Sequence, residues 1–493
     1  MIEAVLEGHF GLQDKAADEF PLLPFEVPPG IARLHVRYQV SHPLSADKAG
    51  QQEGNIVDIG IFDPRGAQFL SAQGFRGWSG TMRQEFTISA DEATPGYLPG
   101  PLQPGTWHVV LGLYQLTAEG CDYRVVATME EEGSREQGPE SGDQGLGNEE
   151  RGSGGAGEIL SRAVAGAQWY RGDLHAHTWH SDGSAPLGDL VAAARAQGLD
   201  FVAVTEHDTI SHLPFLGEHT RPDLLLIPGI EITTYHGHAN VWPLDWPTVA
   251  PVEFRCWRDD QMAQVRQAVR TWGALFSVNH PKDGGPPWEY GDLFEPDCME
   301  VWGGPWFISN YQSLAVWDGQ LRQGKRITAV GGSDKHQGPF TGELGWYEIG
   351  TPCTYVFAEA LSVPAIIAGL RAGHVFVSEG PAGPRLELTA EDIQNGQRGL
   401  MGDELRVPVG SSLRLRCRVQ DGAGNVLRLV SSQETLGAVI GGDDFTYECQ
   451  VPVTSDTYWR AEVIEPPEAP LDEEPAALMV KALGNPIYVR VKG

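Results

Sequence analysis

Gly172-Asp-Leu-His-Ala-His-Thr178 carries two imidazoles two residues apart in a run that reads as a strand. Side chains alternate along a strand, so His175 and His177 share one face and can reach one ion. Outward from this stretch, the chain from Trp169 to about Gly380 alternates strands and helices. Strands are expected at 172–178, 201–205, 224–233, 274–279, 298–302, 327–332 and 374–378. Between them Leu187, Leu190, Val191 and Ala194 show helical spacing, as do Met262, Val265, Val269 and Trp272. Repeated βα units predict a parallel sheet or barrel, with the chemistry gathered at the C-terminal strand ends.

The flanking segments read differently. Leu34, Val36, Tyr38 and Val40 alternate with polar residues, as do Val57, Ile59 and Ile61, and Asp63-Pro-Arg-Gly66 signals a turn. An apolar strand from Trp107 to Leu113 follows. Short strands with frequent turns suggest a sandwich-like domain over 1–128. Residues 130–158 hold nine acidic residues and nine glycines, so a flexible acidic Gly-rich linker is expected over 129–166. Beyond the 167–380 region, Leu413, Leu415, Cys417 and Val419 alternate with arginines, and Ile487, Val489 and Val491 form a last strand. That pattern predicts a second β domain over 381–493.

The formal net charge of −31 argues against nucleic acid as the main partner, because phosphate backbones need clustered Lys and Arg. The six cysteines form no C-x-x-C pair, so neither a zinc ribbon nor a disulfide framework is implied. Met1 to Lys15 lacks a basic stretch followed by an apolar one, and no apolar run reaches membrane-spanning length. A cytoplasmic protein without a membrane partner is the expectation; the oligomeric state is not read from the sequence.

Nine of the fifteen histidines fall between His175 and His280. Candidate ligands sit at or just past expected strand ends: His207, Glu231, His280, and the pair Asp334 and His336, again two apart. Asp182 lies in the loop after the first strand and His238 in the loop after Glu231. Together with His175 and His177 these nine groups exceed what one ion holds and suit two or three. Nitrogen and oxygen donors fit zinc, manganese or iron. Asp173 has the parity of His175 and suits an orienting role. His180, between the pair and Asp182, is a candidate general acid. Asp208 and Lys335, beside His207 and Asp334, join it as candidate catalytic groups, and Lys282 and Lys335 are candidate contacts for an anionic substrate. Trp288, Trp302 and Trp306 fall on expected rim loops. His9, His35, His42, His108, His219 and His374 read as ordinary, and His212 and His236 lean the same way.

The stretches Gly172-Asp-Leu-His-Ala-His-Thr178, Ser181-Asp-Gly183, Thr205-Glu-His-Asp208, Pro228-Gly-Ile-Glu231, Asn279-His-Pro281 and Gly332-Ser-Asp-Lys-His336 resemble the motif series of the PHP (polymerase and histidinol phosphatase) superfamily. With flanking β domains, the arrangement resembles its carbaryl-hydrolase-like (CehA/McbA) branch. The resemblance implies a distorted seven-stranded (β/α)7 barrel between N-terminal and C-terminal β-sandwich-like domains. It implies that His175, His177, Glu231 and Asp334 hold one divalent ion. Glu231 would bridge to a second ion held by His280 and His238, and Asp182, His207 and His336 would hold a third. The family often has His at the place of Asp182.

The expected activity is hydrolysis of a small phosphate ester by water activated at the ions. Carboxylic ester or carbamate hydrolysis on the same site is the alternative. A metal-stabilised scaffold with glycan- or protein-binding β domains is a third reading.

Overall fold

The computed structural model describes residues 1–44, 53–71, 73–131, 167–245, 253–283, 288–291, 295–338, 348–466 and 478–492. The expected acidic linker lies outside these, except for residues 129–131, which end a strand. The chain separates into two compact units, Met1–Leu160 and Ser161–Gly493. Among the described residues no helix is long and apolar enough to cross a membrane.

The first unit is built from two four-stranded sheets. Ile31–Val40 pairs antiparallel with Cys121–Glu131, and Ile56–Phe62 with Gly105–Gln115. Leu34, Val36 and Val125 of one sheet share a core with Val57, Ile59, Ile61 and Trp107 of the other. The alternation legible in the sequence is therefore the inward face of each sheet.

In the second unit Gln168–Asp173, Phe201–Val204 and Leu225–Pro228 are parallel neighbours, as are Leu275–Val278, Cys298–Gly303 and Thr328–Gly332. Helix Leu187–Ala196 lies in the crossover between Gln168–Asp173 and Phe201–Val204, and helix Asp259–Thr271 connects the antiparallel strands Gly237–Trp242 and Leu275–Val278. Leu190, Val191 and Ala194, and Met262, Val265 and Val269, are buried as the spacing predicted. Tyr170, Leu174, Phe201, Leu275 and Trp242 share the core.

Two corrections to the strand register follow from pairing. The expected 224–233 strand is two strands, Leu225–Pro228 and Ile230–Thr234, broken at Gly229. Ile230–Thr234 turns back antiparallel onto Gly237–Trp242, which in turn pairs with Leu275–Val278. A Cβ at Gly237 (φ 140°) would meet Trp288 at 2.7 Å, so this hairpin requires glycine.

The segment expected at 374–378 forms Val375–Ser378, but it pairs with Cys353–Ala358 and Val480–Gly484 and not with Thr328–Gly332. It continues an eleven-stranded sheet that runs from Leu225–Pro228 into the C-terminal strands. The unit as a whole is mixed α/β with few helices and many strands.

At the strand ends, single bridges join the eleven-stranded sheet to a five-stranded one that runs from Ile230–Thr234 to Thr328–Gly332. Ala176 pairs with Lys335 and His207 with Glu231, both parallel. His177 N–H donates to Lys335 O at 3.1 Å, and Glu231 N–H to Glu206 O at 3.0 Å. These bridges lie at the residues singled out as candidate ligands.

Candidate metal centre

The chain reaches this rim under strain. Of the seven described non-glycine residues with left-handed backbone, three stand here: Asp208 (φ 50°), His280 (φ 29°) and Asp334 (φ 53°). Each such residue costs about 1–3 kcal/mol and persists only where its surroundings over-determine it. The surroundings here are hydrogen bonds. Asp173, fully buried, accepts N–H from His175 (3.0 Å), Ser333 (2.9 Å) and Gly350 (2.7 Å). It thereby ties the first strand to the turn before Asp334 through main-chain N–H groups and touches no ligand side chain in these bonds. Asp334 N–H donates to His175 O at 2.9 Å.

Glu231, fully buried, is the centre of the cluster. Its Oε2 lies 3.3 Å from His175 Nε2, 3.5 Å from His177 Nε2 and 2.9 Å from His207 Nδ1. Its Oε1 lies 3.2 Å from His238 Nδ1 and 3.5 Å from His280 Nε2, and accepts Asn279 Nδ2–H at 2.8 Å. Asp334 Oδ1 closes the first group, 3.3 Å from His175 Nε2 and 3.1 Å from His177 Nε2. Around Asp182, His336 and His207 stand a further set of facing nitrogens and oxygens, with His177 beside them. All nine residues expected as ligands are thus brought to one place. Three donor groups are close enough to share an ion: His175, His177, Glu231 and Asp334; His177, Asp182, His207 and His336; and His207, Glu231 and His238. His280 stands at the edge, its ring 5.2 Å from that of His238.

Donors about 2.1 Å from one ion at tetrahedral angles stand about 3.4 Å apart, which is the spacing seen in the first two groups. Two further observations fit a cation. His175 Nε2 and Glu231 Oε2 are buried and make no hydrogen bond among the described residues. Leaving such atoms unsatisfied costs about 1–3 kcal/mol each, and an ion between them would remove the cost. The charge balance also fits. Burial would raise Glu231, yet His175, His207 and His238 hold it well below the usual carboxylate range. Burial would lower His175, and Asp334, Glu231 and Glu300 instead raise it well above an ordinary imidazole. His177 is pushed down to about 3 by burial and by His336 and His207, so it offers a bare nitrogen.

The neighbours of the ligands fix their aim. His236 turns to Glu289 (Nδ1 to Oε2 2.6 Å), leaving His238 as the histidine of that hairpin that faces Glu231. His336 Nδ1 donates to Asp334 O at 2.9 Å, and His207 Nδ1 to Thr233 Oγ1 at 2.5 Å. Asp182 is carried on a loop fastened by Ser184 N–H to His336 O at 2.8 Å.

The three candidate catalytic residues stand differently. His180, buried, shares a 2.8 Å hydrogen bond between Nδ1 and Ser211 Oγ. Asp208 Oδ1 accepts Thr233 N–H at 2.8 Å. Lys335 lies opposite Ala176 in the bridge, and Glu348 acts on its ammonium. Lys282 donates to Gly303 O (2.7 Å) and Asn310 Oδ1 (2.8 Å), and burial lowers it to about 8 against the pull of Glu300 and Asp334. His212, buried, donates from Nε2 to Gly229 O, an ordinary core role.

Residues 173–280 match the PHP domain. The PHP match covers His175 through His280 of the cluster, and Asp334 and His336 lie beyond it. No curated protein matches the chain. Among solved structures, a two-domain Bacteroides vulgatus protein containing a predicted PHP-like metal-dependent phosphoesterase is 18% identical, with 68% of this chain and 100% of that one covered and a TM-score of 0.37. A Bifidobacterium adolescentis protein, inferred to be a metal-dependent phosphoesterase, is 17% identical over 36% of this chain and 91% of that one, with a TM-score of 0.25.

Sequence reasoning passed over Glu300, Asn279 and Thr233. Glu300 is 2% exposed and its Oε1 accepts His175 Nδ1–H at 3.0 Å. The signal was present: a carboxylate inside the apolar run Cys298-Met-Glu-Val-Trp302 needs a partner.

Proposed function

We propose that this chain is a metal-dependent phosphoesterase acting on a small phosphate ester. The observation that carries the reading is Glu231, whose two oxygens face two different sets of imidazoles. A bridging carboxylate is what a site for two adjacent ions needs. His175, His177, Glu231 and Asp334 would hold one ion, Glu231, His238 and His280 a second, and Asp182, His207 and His336 a third. Zinc, manganese and iron all suit these donors. When bound, such ions supply Lewis acidity toward phosphoryl oxygens and lower the pKa of water toward about 7.

The chain's own residues do the rest. Lys282, held by Gly303 and Asn310, sets a positive charge at the edge of the cluster where an anionic substrate would rest. His180, buried and anchored through Nδ1 to Ser211, would pass a proton to the leaving group. Asp208 fixes the backbone of Thr233, whose hydroxyl receives His207 Nδ1–H. In this reading Asp208 and Lys335 position ligands and do not touch substrate. The bridges between strand ends close a circuit through seven strands, which we read as the distorted barrel of the PHP superfamily, carried by the flanking β segments of the carbaryl-hydrolase-like branch.

The test is hydrolysis of p-nitrophenyl phosphate before chelation, after it, and after return of zinc, manganese or iron. Activity should vanish and come back with one of the three ions. Undiminished turnover by metal-free protein would overturn the proposal. Turnover of p-nitrophenyl acetate but not of the phosphate would replace it with the carboxylic ester reading.

A further inference from the structure

We infer that Glu300 is a positioning residue that couples two metal positions through one carboxylate. The inference rests on the metal-dependent reading above. Glu300 Oε1 accepts His175 Nδ1–H at 3.0 Å, which leaves Nε2 of that ring aimed at Glu231 and Asp334. Glu300 Oε2 accepts the main-chain N–H of His280 at 3.0 Å. His280 is the ligand candidate with the most unusual backbone, φ 29°, and this bond holds the strained residue in place. One side chain therefore sets the direction of an imidazole in the first donor group and the backbone beneath an imidazole facing the opposite oxygen of Glu231.

The strands are built around this carboxylate. Gly303 and Gly332 are register partners on adjacent strands. A Cβ on Gly303 would stand 3.1 Å from Glu300 Oε2, and one on Gly332 would stand 3.0 Å from Glu300 Oε1. Gly303 thus makes room for one oxygen, and Gly332 makes room for the other and, more closely, for His175, whose Cβ would stand 2.4 Å away. The register between the two strands also slips between Glu300 and Trp302. A bulge of this kind re-aims a side chain. A buried carboxylate costs several kcal/mol to desolvate, so two glycines, a bulge and a strained histidine around it mark a placed group. A carboxylate behind a metal-binding imidazole raises its basicity and fixes its ring, and losing it typically weakens metal binding roughly 10- to 100-fold.

The test uses the full chain with zinc or manganese alone as the probe. Metal affinity is read by competition with a chromophoric chelator, and ion count by elemental analysis. Wild type, Glu300→Gln and Glu300→Asp are compared, with thermal unfolding of each metal-free protein alongside. Gln presents an acceptor to only one of the two N–H groups, and Asp falls short of both. Both variants should bind metal roughly 10- to 100-fold more weakly while the metal-free proteins melt near wild type. Glu300→Asp also serves if the Gln variant does not fold. Wild-type affinity in the variants, with or without a lower melting temperature, would make Glu300 merely structural and sink the inference. No metal binding by wild type would instead sink the functional reading on which it rests.

Discussion

His207 and His336 face one another nitrogen to nitrogen, their Nε2 atoms 3.3 Å apart, with Asp182 Oδ1 at 3.4 and 3.2 Å from them. Burial alone would lower both rings. Asp182 and Glu231 outweigh it at His207 and bring it to about 10, and Asp182 and Asp334 bring His336 to about 9. Both folded values lie above the ordinary 6.5 of histidine. In the metal-free protein these protons therefore contribute stability that is fully present below about pH 6.5 and lost as pH rises through about 9 to 10. A metal ion must displace them. Metal binding near pH 7 should release protons, and affinity should fall as pH is lowered. Calorimetric titration of metal in buffers of different ionisation enthalpy measures the release; no proton release would contradict the assignment.

Glu231→Gln keeps the volume and removes the charge between the imidazole sets. It should lower kcat/KM on a phosphate ester by about three orders of magnitude, roughly 4 kcal/mol of barrier, and reduce the bound metal. His336→Ala leaves His175, His177, Glu231 and Asp334 intact and should cost one ion per chain. Elemental analysis of the two purified variants separates these outcomes.

Gly332→Ala adds a single methyl where the Cβ would stand 2.4 Å from His175 Cβ and 2.9 Å from His175 N. Backbone and Cβ cannot give way as a flexible side-chain tip does, so His175 must move. Metal affinity and turnover should both fall by at least about tenfold, since displacements near 1 Å are costly at a reacting centre. Gly217→Ala, on a short helix with nothing within 4 Å of the added Cβ, should be neutral in the same assays.

Asp318 supports the fold away from the site. Its Oδ1 receives Tyr458 Oη–H at 3.0 Å and Arg460 Nε–H at 3.1 Å, and Arg460 is buried beside Glu462. Asp318→Ala should destabilise by about 2–3 kcal/mol, because Arg460 loses one of its two carboxylates. Burial would raise the Asp318 carboxyl, but Arg460 and Arg322 hold it below the usual range. A depressed carboxylate stabilises above its unfolded value near pH 4, and this support is lost as pH falls through the folded value. Denaturant unfolding of wild type and variant at pH 7 and pH 3 should show the gap closing in acid.

The sequence by itself determined what is local. Two-residue spacing joined His175 and His177 in one donor group although the strand itself ends at Asp173, it left Asp334 and His336 in different groups, and helical spacing placed Leu190 and Val265 on buried faces. Most of the nine ligand candidates were legible because they follow a strand, and strand ends are local events, whereas Glu231 and His238 sit second in Ile230–Thr234 and Gly237–Trp242. Tertiary structure alone decided what depends on pairing across long separations. It inserted the hairpin strand Gly237–Trp242, sent Val375–Ser378 into the sheet shared with the C-terminal strands, and chose His238 over His236. It also gave Glu300 its partner 125 residues away. A lone carboxylate in an apolar strand announces that it needs a hydrogen-bond donor, but only the register of neighbouring strands says which one it finds.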